Sequence, residues 1–238
     1  MREITRKNYT KNRELFILDK CKDKRVLHLG CCSSPNTEFK FGKDIALFQR
    51  IEKVCKVQQG LDIDRKEIKY LNDLGYNNIS FFDLNQPGEI DFKPEIIVFA
   101  DTLEHLMNLE VALSSLRQLM NENTELIVTV PNATMLSRVI GNFRGVIKEN
   151  TDHKVSFTYS ALMQLLEFNK LKVNNIYLAG ELNIERSYNE KTGLNLITHK
   201  FIRGVYNIIY KPLINIFPLF SECLIITCSR NEKYERTA

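Results

Sequence analysis

A short segment of this chain combines two carboxylates with an imidazole, because Asp101, Glu104 and His105 all fall within Ala100–Leu106. Their i, i+3, i+4 spacing places the three side chains on one face if the segment is helical. With His153 as a fourth ligand, such a set could bind a divalent cation that holds and deprotonates a hydroxyl. The competing interpretation, which we favour, is that these side chains only organise a loop. We therefore predict no metal site, and Asp101, Glu104, His105 and His153 form the alternative ligand set.

Two of the histidines are also candidates for proton transfer. Histidine exchanges protons near neutral pH, which suits a general base that acts on a hydroxyl. His153 lies in the segment Asp152–Thr158, just before a predicted helix. A histidine in that place could equally bridge two loops by hydrogen bonds, and both interpretations stay open. The predicted catalytic residues are His153 and His105.

A second group of candidate residues follows the ends of four predicted strands. Gly30–Cys32 follows the first strand, and Asp62, Asp83 and Asp101 follow the next three. Ligands of parallel α/β sheets bind beyond the carboxyl ends of the strands. A tight turn with an acid about thirty residues later suits an adenosine ribose, because backbone can approach the ligand while the carboxylate accepts from both hydroxyls. We expect Asp83 to lie near the adenine amino group.

These residues require a regular framework, and short continuous apolar runs indicate one. Such runs are typical of strands covered on both faces. Strands are predicted at Arg25–Gly30, Val57–Ile63, Asn78–Phe82, Glu95–Ala100, Glu125–Val130, Leu171–Leu178 and Cys223–Ser229. Helices are predicted at Asn12–Cys21, Asp44–Val54, Asp64–Leu74, Leu109–Met120, Tyr159–Phe168 and Asn195–Tyr210. The alternation predicts right-handed βαβ units, and hence an α/β fold with a mostly parallel, seven-stranded sheet and helices on both faces.

The length of 238 residues suits one elaborated α/β domain. We predict a helical N-terminal lead-in over residues 1–24 and a main domain over residues 25–238, with a late helical insert at about 180–222.

The net charge of +4 is small for a dedicated nucleic-acid binder, so no nucleic acid is expected as a partner. Charges and prolines interrupt the apolar segment Phe201–Phe220, so we expect no stable membrane span, although peripheral contact stays open. The polar start of the chain lacks a signal-peptide core, and we expect a cytoplasmic protein.

Five segments occur in the order that is typical of a known family. They are Val26–Cys32, Gly60–Asp64, Phe81–Asp83, Ala100–Leu106 and Val128–Asn132. Together they resemble the motifs of class I methyltransferases that depend on S-adenosylmethionine (SAM), which have a Rossmann-like fold. The resemblance covers roughly residues 25–170 and is greatest to ubiquinone-type methyltransferases and those of bacterial glycan gene clusters.

This resemblance implies a SAM cofactor at the strand ends. The residues implied in binding it are Gly30, Cys31, Cys32, Asp62, Ile63, Asp83, Leu84, Ala100 and Asp101. By the resemblance, Asp62 would hold the ribose, and Asp83 would face the adenine together with the backbone of Leu84. Two positions depart from the family pattern. His28 stands where an acid usually helps to orient the amino group of the cofactor, and Cys32 replaces a second glycine.

The resemblance further implies an enzyme that methylates a small molecule or a glycan, including a lipid-linked sugar of polysaccharide biosynthesis, at an oxygen atom. The acceptor is expected where residues 1–24, the loop 133–150 and residues 180–222 meet above the cofactor. The two departures leave a second hypothesis open, a SAM-fold protein that has lost catalysis and serves as a binding or scaffold partner.

An RNA methyltransferase would need a basic groove with stacking aromatic residues. A nicotinamide dehydrogenase would need a full GxGxxG turn, which is absent after the first strand. The sequence leaves the acceptor and the oligomeric state open.

Overall fold

The structure is a computed structural model, and it describes residues 8–10, 12–86, 88–146, 150–180, 208 and 211–231. Eight strands in these ranges form one sheet. They are β1 (Tyr9–Thr10), β2 (Arg25–Leu29), β3 (Val57–Asp62), β4 (Ile79–Phe81), β5 (Ile96–Ala100), β6 (Glu125–Pro131), β7 (Leu171–Ala179) and β8 (Cys223–Arg230). Each of the seven predicted strands is therefore present, within one residue at either end.

Helices cover the sheet and connect its strands. Those in the described ranges are α1 (Arg13–Cys21), α2 (Thr37–Gly42), α3 (Leu47–Glu52), α4 (Arg65–Asp73), α5 (Leu109–Gln118), α6 (Leu136–Phe143), α7 (Tyr159–Phe168) and α8 (Lys211–Ile216). Local chemistry explains where several of them begin. The side chains of Asn12, Asp64 and Thr158 precede α1, α4 and α7 and accept hydrogen bonds from backbone N–H groups of the first turn.

The strands lie in the order β1-β7-β8-β6-β5-β2-β3-β4. Strand β8 runs antiparallel to both of its neighbours, and the other paired strands are parallel. The predicted α/β fold with a mostly parallel sheet is confirmed, but the count of seven strands is wrong. The eighth strand, β1, comes from the N-terminal lead-in, and its two residues are too short to show a periodic signal.

Both faces of the sheet are buried under helices, as predicted. On one face, Leu113 of α5 and Leu162 of α7 belong to the largest apolar cluster. On the other face, Ile17 of α1 and Ile51 of α3 pack with side chains of β2, β5, β6 and β8. Because β2 lies between β5 and β3, the order of the strands reverses at β2, and the carboxyl ends around it open into a crevice.

Three regions differ from the prediction or lie outside the described residues. The helix predicted at Asp44–Val54 is shortened to α3 and is preceded by α2. Helix α6 occupies part of the stretch 133–150, which the sequence suggested to be a loop. The helix predicted at Asn195–Tyr210 lies outside the described residues except for Ile208. No helix in the described ranges is long and apolar enough to cross a bilayer.

Candidate active site

The turn after β2 requires a glycine. Gly30 has a φ of +71°, a left-handed conformation that side chains disfavour. A Cβ atom on Gly30 would lie only 2.4 Å from the Oγ1 atom of Thr102. The N–H of Gly30 donates to the carbonyl oxygen of Leu61 at 2.9 Å, which ties the turn to β3. Backbone therefore approaches the crevice closely at this point, as a nucleotide-binding turn requires.

The carboxylate of Asp62 is directed toward this turn. Its Oδ2 atom accepts the backbone N–H of Cys32 at 2.8 Å, and its Oδ1 atom accepts that of Asp64 at 3.1 Å. These two bonds fix the carboxylate at the end of β3 with one lone-pair direction of each oxygen occupied. The side chain of Cys32 is buried beside the turn. The predicted juxtaposition of Asp62 with Gly30–Cys32 is thus present.

A small cavity of about 80 Å³ lies on the β4 side of Asp62. Ile63, Asp83 and Leu84 line it, together with Asn85. The Oδ1 atom of Asp83 accepts both the backbone and the side-chain N–H groups of Asn85 at 2.9 Å, which orients the carboxylate. The cavity combines apolar walls with an acceptor oxygen, a combination suited to a flat ring that carries an amino group.

A larger cavity of about 440 Å³ continues from the small one, and Gly30, Asp62 and Thr102 line both. Its remaining lining includes Arg13, His28, Ala100, Asp101, His105 and His153. The predicted cofactor residues therefore surround one continuous cleft, with the exception of Cys31 and Cys32, whose side chains are buried behind the turn. A separate depression of about 1150 Å³ lies near Lys93, Asn121 and Arg230 and contains none of the predicted site residues.

The two candidate catalytic histidines lie side by side in the larger cavity. Their ring centroids are 5.0 Å apart in an edge-on arrangement. The backbone N–H groups of Lys154 and Val155 donate to the carbonyl oxygen of Glu104, which holds the segment of His153 against that of His105. The Nδ1 atom of His105 lies 3.2 Å from the carbonyl oxygen of Asp152. A carbonyl oxygen only accepts, so this bond places the proton on Nδ1 and leaves Nε2 as the basic nitrogen.

Glu104 is a buried carboxyl group next to these rings. Its side-chain oxygens have no hydrogen-bond partner among the described residues, and Oε1 lies 4.0 Å from the Nε2 atom of His153. Burial, assisted by the charge of Asp101, raises the pKa of Glu104 to about 8. The ligand atoms of Glu104, His105 and His153 lie within 4.8 Å of one another.

Asp101 does not join this cluster, although the spacing suggested a common face. Residues Leu103–His105 form a single 3₁₀ turn that begins after Asp101, and Asp101 itself has a φ of +48°. Its carboxylate pairs instead with Arg13 and accepts the hydroxyl of Thr129 at 3.2 Å. The alternative metal set is therefore only partly assembled. Sequence reasoning missed Arg13, because only the docking of α1 brings it to the cleft.

His28 lies at the floor of the larger cavity and is buried. Burial, assisted by the charge of Arg13, lowers its pKa to about 3. The imidazole is therefore neutral at physiological pH. It brings no negative charge to the position where the resemblance leads one to expect an acid.

We expect His28 to make the protein sensitive to mild acid. An unfolded histidine takes up a proton below a pH of about 6.5, whereas buried His28 stays neutral. The free energy of unfolding therefore falls as pH falls from that value toward 3. Between pH 6.5 and 5 this loss amounts to about 2 kcal/mol. The free energy of unfolding should depend less on pH in His28→Leu, as measured by urea titration at each pH. The exposed His105→Gln variant is the control, and parallel pH profiles for wild type and His28→Leu would refute the assignment.

Comparisons with known proteins support the fold. No protein-family model and no curated protein matches the chain. A SAM-dependent methyltransferase from Archaeoglobus fulgidus is similar in structure, with a TM-score of 0.52 and 20% identity over 92% of this chain and 95% of that one. A protein described as a methyltransferase from Bacillus halodurans C-125 gives a TM-score of 0.54 at 11% identity, over 91% of this chain and 97% of that one. A chain of the Haloferax volcanii complex between the Trm112 methyltransferase activator and a methyltransferase gives a TM-score of 0.55 at 10% identity, over 91% of this chain and 87% of that one. At such identities the likeness shows the Rossmann-like methyltransferase fold.

Proposed function

We propose that this chain is a SAM-dependent methyltransferase that transfers a methyl group to a hydroxyl of a small-molecule or glycan acceptor. The observation that carries the proposal is the position of Asp62. Its carboxylate is held against the Gly30 turn by the N–H of Cys32, at the point where the two cavities join. An acid between a small, partly apolar cavity and a wider polar one suits the ribose of an adenosine ligand.

The cleft offers a separate environment to each part of the cofactor. The adenine would lie between Ile63 and Leu84 with its amino group toward Asp83, and the ribose hydroxyls would donate to Asp62. The remainder would pass Gly30 toward Ala100, at the end of β5. The buried Cys32 leaves this path open, because its side chain lies behind the turn and its backbone N–H serves Asp62.

Two histidines that line the larger cavity, His105 and His153, support proton removal from a hydroxyl acceptor. SAM supplies an electrophilic methyl group on its sulfonium, so that the S–C bond breaks as the O–C bond forms. The hydroxyl proton must leave during attack, and His105, which lines the larger cavity and has Nε2 as its basic nitrogen, would take it. His153 packs edge-on against this ring and restricts its position. The protein otherwise contributes alignment of the two reactants, which accounts for much of the acceleration in reactions of this kind.

The acceptor side of the cleft is polar. Asn150, Asp152 and His153 line it together with His105. Such a lining can hydrogen-bond several hydroxyls at once, which favours a sugar or another polyol over a purely apolar molecule.

Calorimetric titration with SAM and with S-adenosylhomocysteine (SAH) tests the proposal. We expect both to bind, since they share the adenosine and the amino-acid end. Transfer of a labelled methyl group from SAM would then be followed with a panel of simple phenols and nucleotide-linked sugars. Absence of binding heat for both ligands would refute the proposal. Tight binding of both without methylation of any acceptor would favour the binding or scaffold hypothesis.

A further inference from the structure

Two long stretches of the sequence contain no acidic residue. One lies between Glu125 and Glu149 and the other between Glu190 and Glu222, and they are the two longest acid-free intervals of the chain. Together they carry seven of the 33 lysine and arginine residues and none of the 29 acidic residues. The positive charge of the chain is therefore concentrated in these two stretches, and the remaining sequence has a small excess of acid.

The described parts of the two stretches lie against each other. The side-chain amide of Asn132 donates to the carbonyl oxygen of Leu219 at 2.8 Å, and the hydroxyl of Thr134 donates to the same oxygen at 3.0 Å. Asn132 directly follows Pro131, which lines the larger cavity. Helix α6, which begins two residues after Thr134, and the segment 211–221 are therefore joined at the cleft edge of the sheet.

Both elements expose large apolar side chains. In α6, Ile140 and Phe143 are three residues apart and share one face of the helix, and Phe143 is 88% exposed. In the segment 211–221, Ile216, Phe217 and Leu219 are exposed as well. We call these five side chains the apolar surface. Large apolar side chains that are exposed in one region of a protein are typical of an interaction surface.

A basic side chain lies at the end of α6, beside this surface. Arg144 follows Phe143 directly and is exposed. Gly145, with a φ of +67°, and a hydrogen bond of 2.8 Å from the N–H of Val146 to the carbonyl oxygen of Gly141 close the helix at this point. A helix end that combines exposed apolar residues with a basic residue and no acid is typical of segments that lie in the interface of a membrane.

We infer that the apolar surface docks on an anionic lipid bilayer, with Phe143 inserted among the lipid headgroups and Arg144 close to the lipid phosphates. The inference is independent of the proposed function. The contact is peripheral, since no helix in the described ranges can cross a bilayer. Anionic lipids attract basic segments at a membrane surface, and apolar side chains add affinity when they leave water.

The charge and the side-chain types favour a bilayer over two other occupants. A second copy of the chain would bring another acid-free, basic face to the contact, and like charges across an interface are unfavourable. Single-stranded nucleic acid binds by stacking of bases on aromatic rings. Three of the five exposed side chains, Ile140, Ile216 and Leu219, are aliphatic and offer no ring for stacking.

Sedimentation with lipid vesicles tests the inference. Wild type should bind vesicles of phosphatidylcholine mixed with phosphatidylglycerol more tightly than vesicles of phosphatidylcholine alone, and high salt should release it. Phe143→Ser should weaken binding to the mixed vesicles by about tenfold, because a large apolar side chain no longer leaves water. Phe217→Ser, on the second element, should also weaken it. Arg144→Gln should weaken binding by about fivefold through the loss of one positive charge.

Phe168→Ser is the matched control. Phe168 is 84% exposed at the end of α7, close to the start of β7. That end of β7 pairs with the end of β8, whereas Pro131 pairs with the start of β8, so Phe168 lies at the opposite edge of the sheet from the apolar surface. The control should bind the mixed vesicles as wild type does. Phe143 and Phe168 are both exposed, so neither change should shift the unfolding temperature measured by circular dichroism.

Several results would overturn the inference. They are the absence of wild-type binding to the mixed vesicles, and an equal loss of binding in Phe143→Ser and Phe168→Ser. A dimer that Phe143→Ser dissociates, without vesicle binding, would assign the surface to a second copy, and tighter binding to single-stranded RNA than to vesicles would assign it to nucleic acid. The proposed function is tested separately, since Phe143→Ser should bind SAH as wild type does. Failure of wild type to bind SAH would leave the vesicle result unaffected.

Discussion

Replacing Asp62 with alanine should raise the dissociation constant for SAH by about 100-fold. A hydrogen bond to a charged group contributes about 1.5–3 kcal/mol, and in the proposed site Asp62 accepts from two ribose hydroxyls. The loss of both bonds would cost roughly 3 kcal/mol, which corresponds to that change in affinity. The variant also leaves the N–H of Cys32 without its carboxylate acceptor, so the Gly30 turn would be less well held. Calorimetric titration with SAH measures the effect directly.

Asp64→Ala is the control for this experiment. Asp64 lies two residues further on and caps α4 by accepting the N–H groups of Lys66 and Glu67, but it does not line the cleft. Its loss should lower stability by about 1 kcal/mol without changing the affinity for SAH. Asp62→Asn should fall between the two, because it keeps an acceptor oxygen and loses the charge. An Asp62→Ala protein that is folded and binds SAH as wild type does would contradict the assignment of the ribose site.

The side of the cleft that contains Gly30, Asp62 and Asp83 could be predicted because its signals are local. An apolar run that ends in Gly30, or in an acid such as Asp62 or Asp83, marks a strand and its carboxyl end within a few residues. Parallel pairing then brings these ends to one edge of the sheet without further information. The positions of the strands and of Asp62 beside the Gly30 turn follow from these features alone.

The other side of the cleft depends on contacts between distant segments. Arg13 reaches the cleft because Ile17 and Cys21 dock α1 on the sheet, and nothing near Arg13 in the sequence indicates this. Asp101 was expected to share a helical face with Glu104. It is separated from Glu104 by a left-handed backbone conformation, which one sequence does not reveal in a residue other than glycine. Whether His105 or His153 is the better base likewise depends on a hydrogen bond to the distant Asp152.

Replacing His105 with alanine should lower kcat by about 100-fold or more and leave the affinity for SAH within about twofold, since general bases contribute 10²–10⁴ in rate. The Nε2 atom of His105 is the basic nitrogen, and the proposed cofactor residues Asp62 and Gly30 belong to other elements, at the ends of β3 and β2. His153→Ala should lower kcat less, by about tenfold, because His153 restricts the ring of His105 without a proton transfer of its own. Both values would be measured as methyl transfer to whichever acceptor of the panel wild type modifies.

Two further measurements separate a base from a structural histidine and from a metal ligand. Added imidazole should restore part of the activity of His105→Ala, because a small base can enter the space left by the ring, whereas a loop defect would not respond. Wild-type activity should survive a chelator, since in the proposed mechanism the imidazole itself takes the proton. If chelation abolished activity and Mg²⁺ restored it, Glu104, His105 and His153 would instead be ligands of a cation, for which their ligand atoms lie close enough. Full activity in His105→Ala would show that His105 is not the general base.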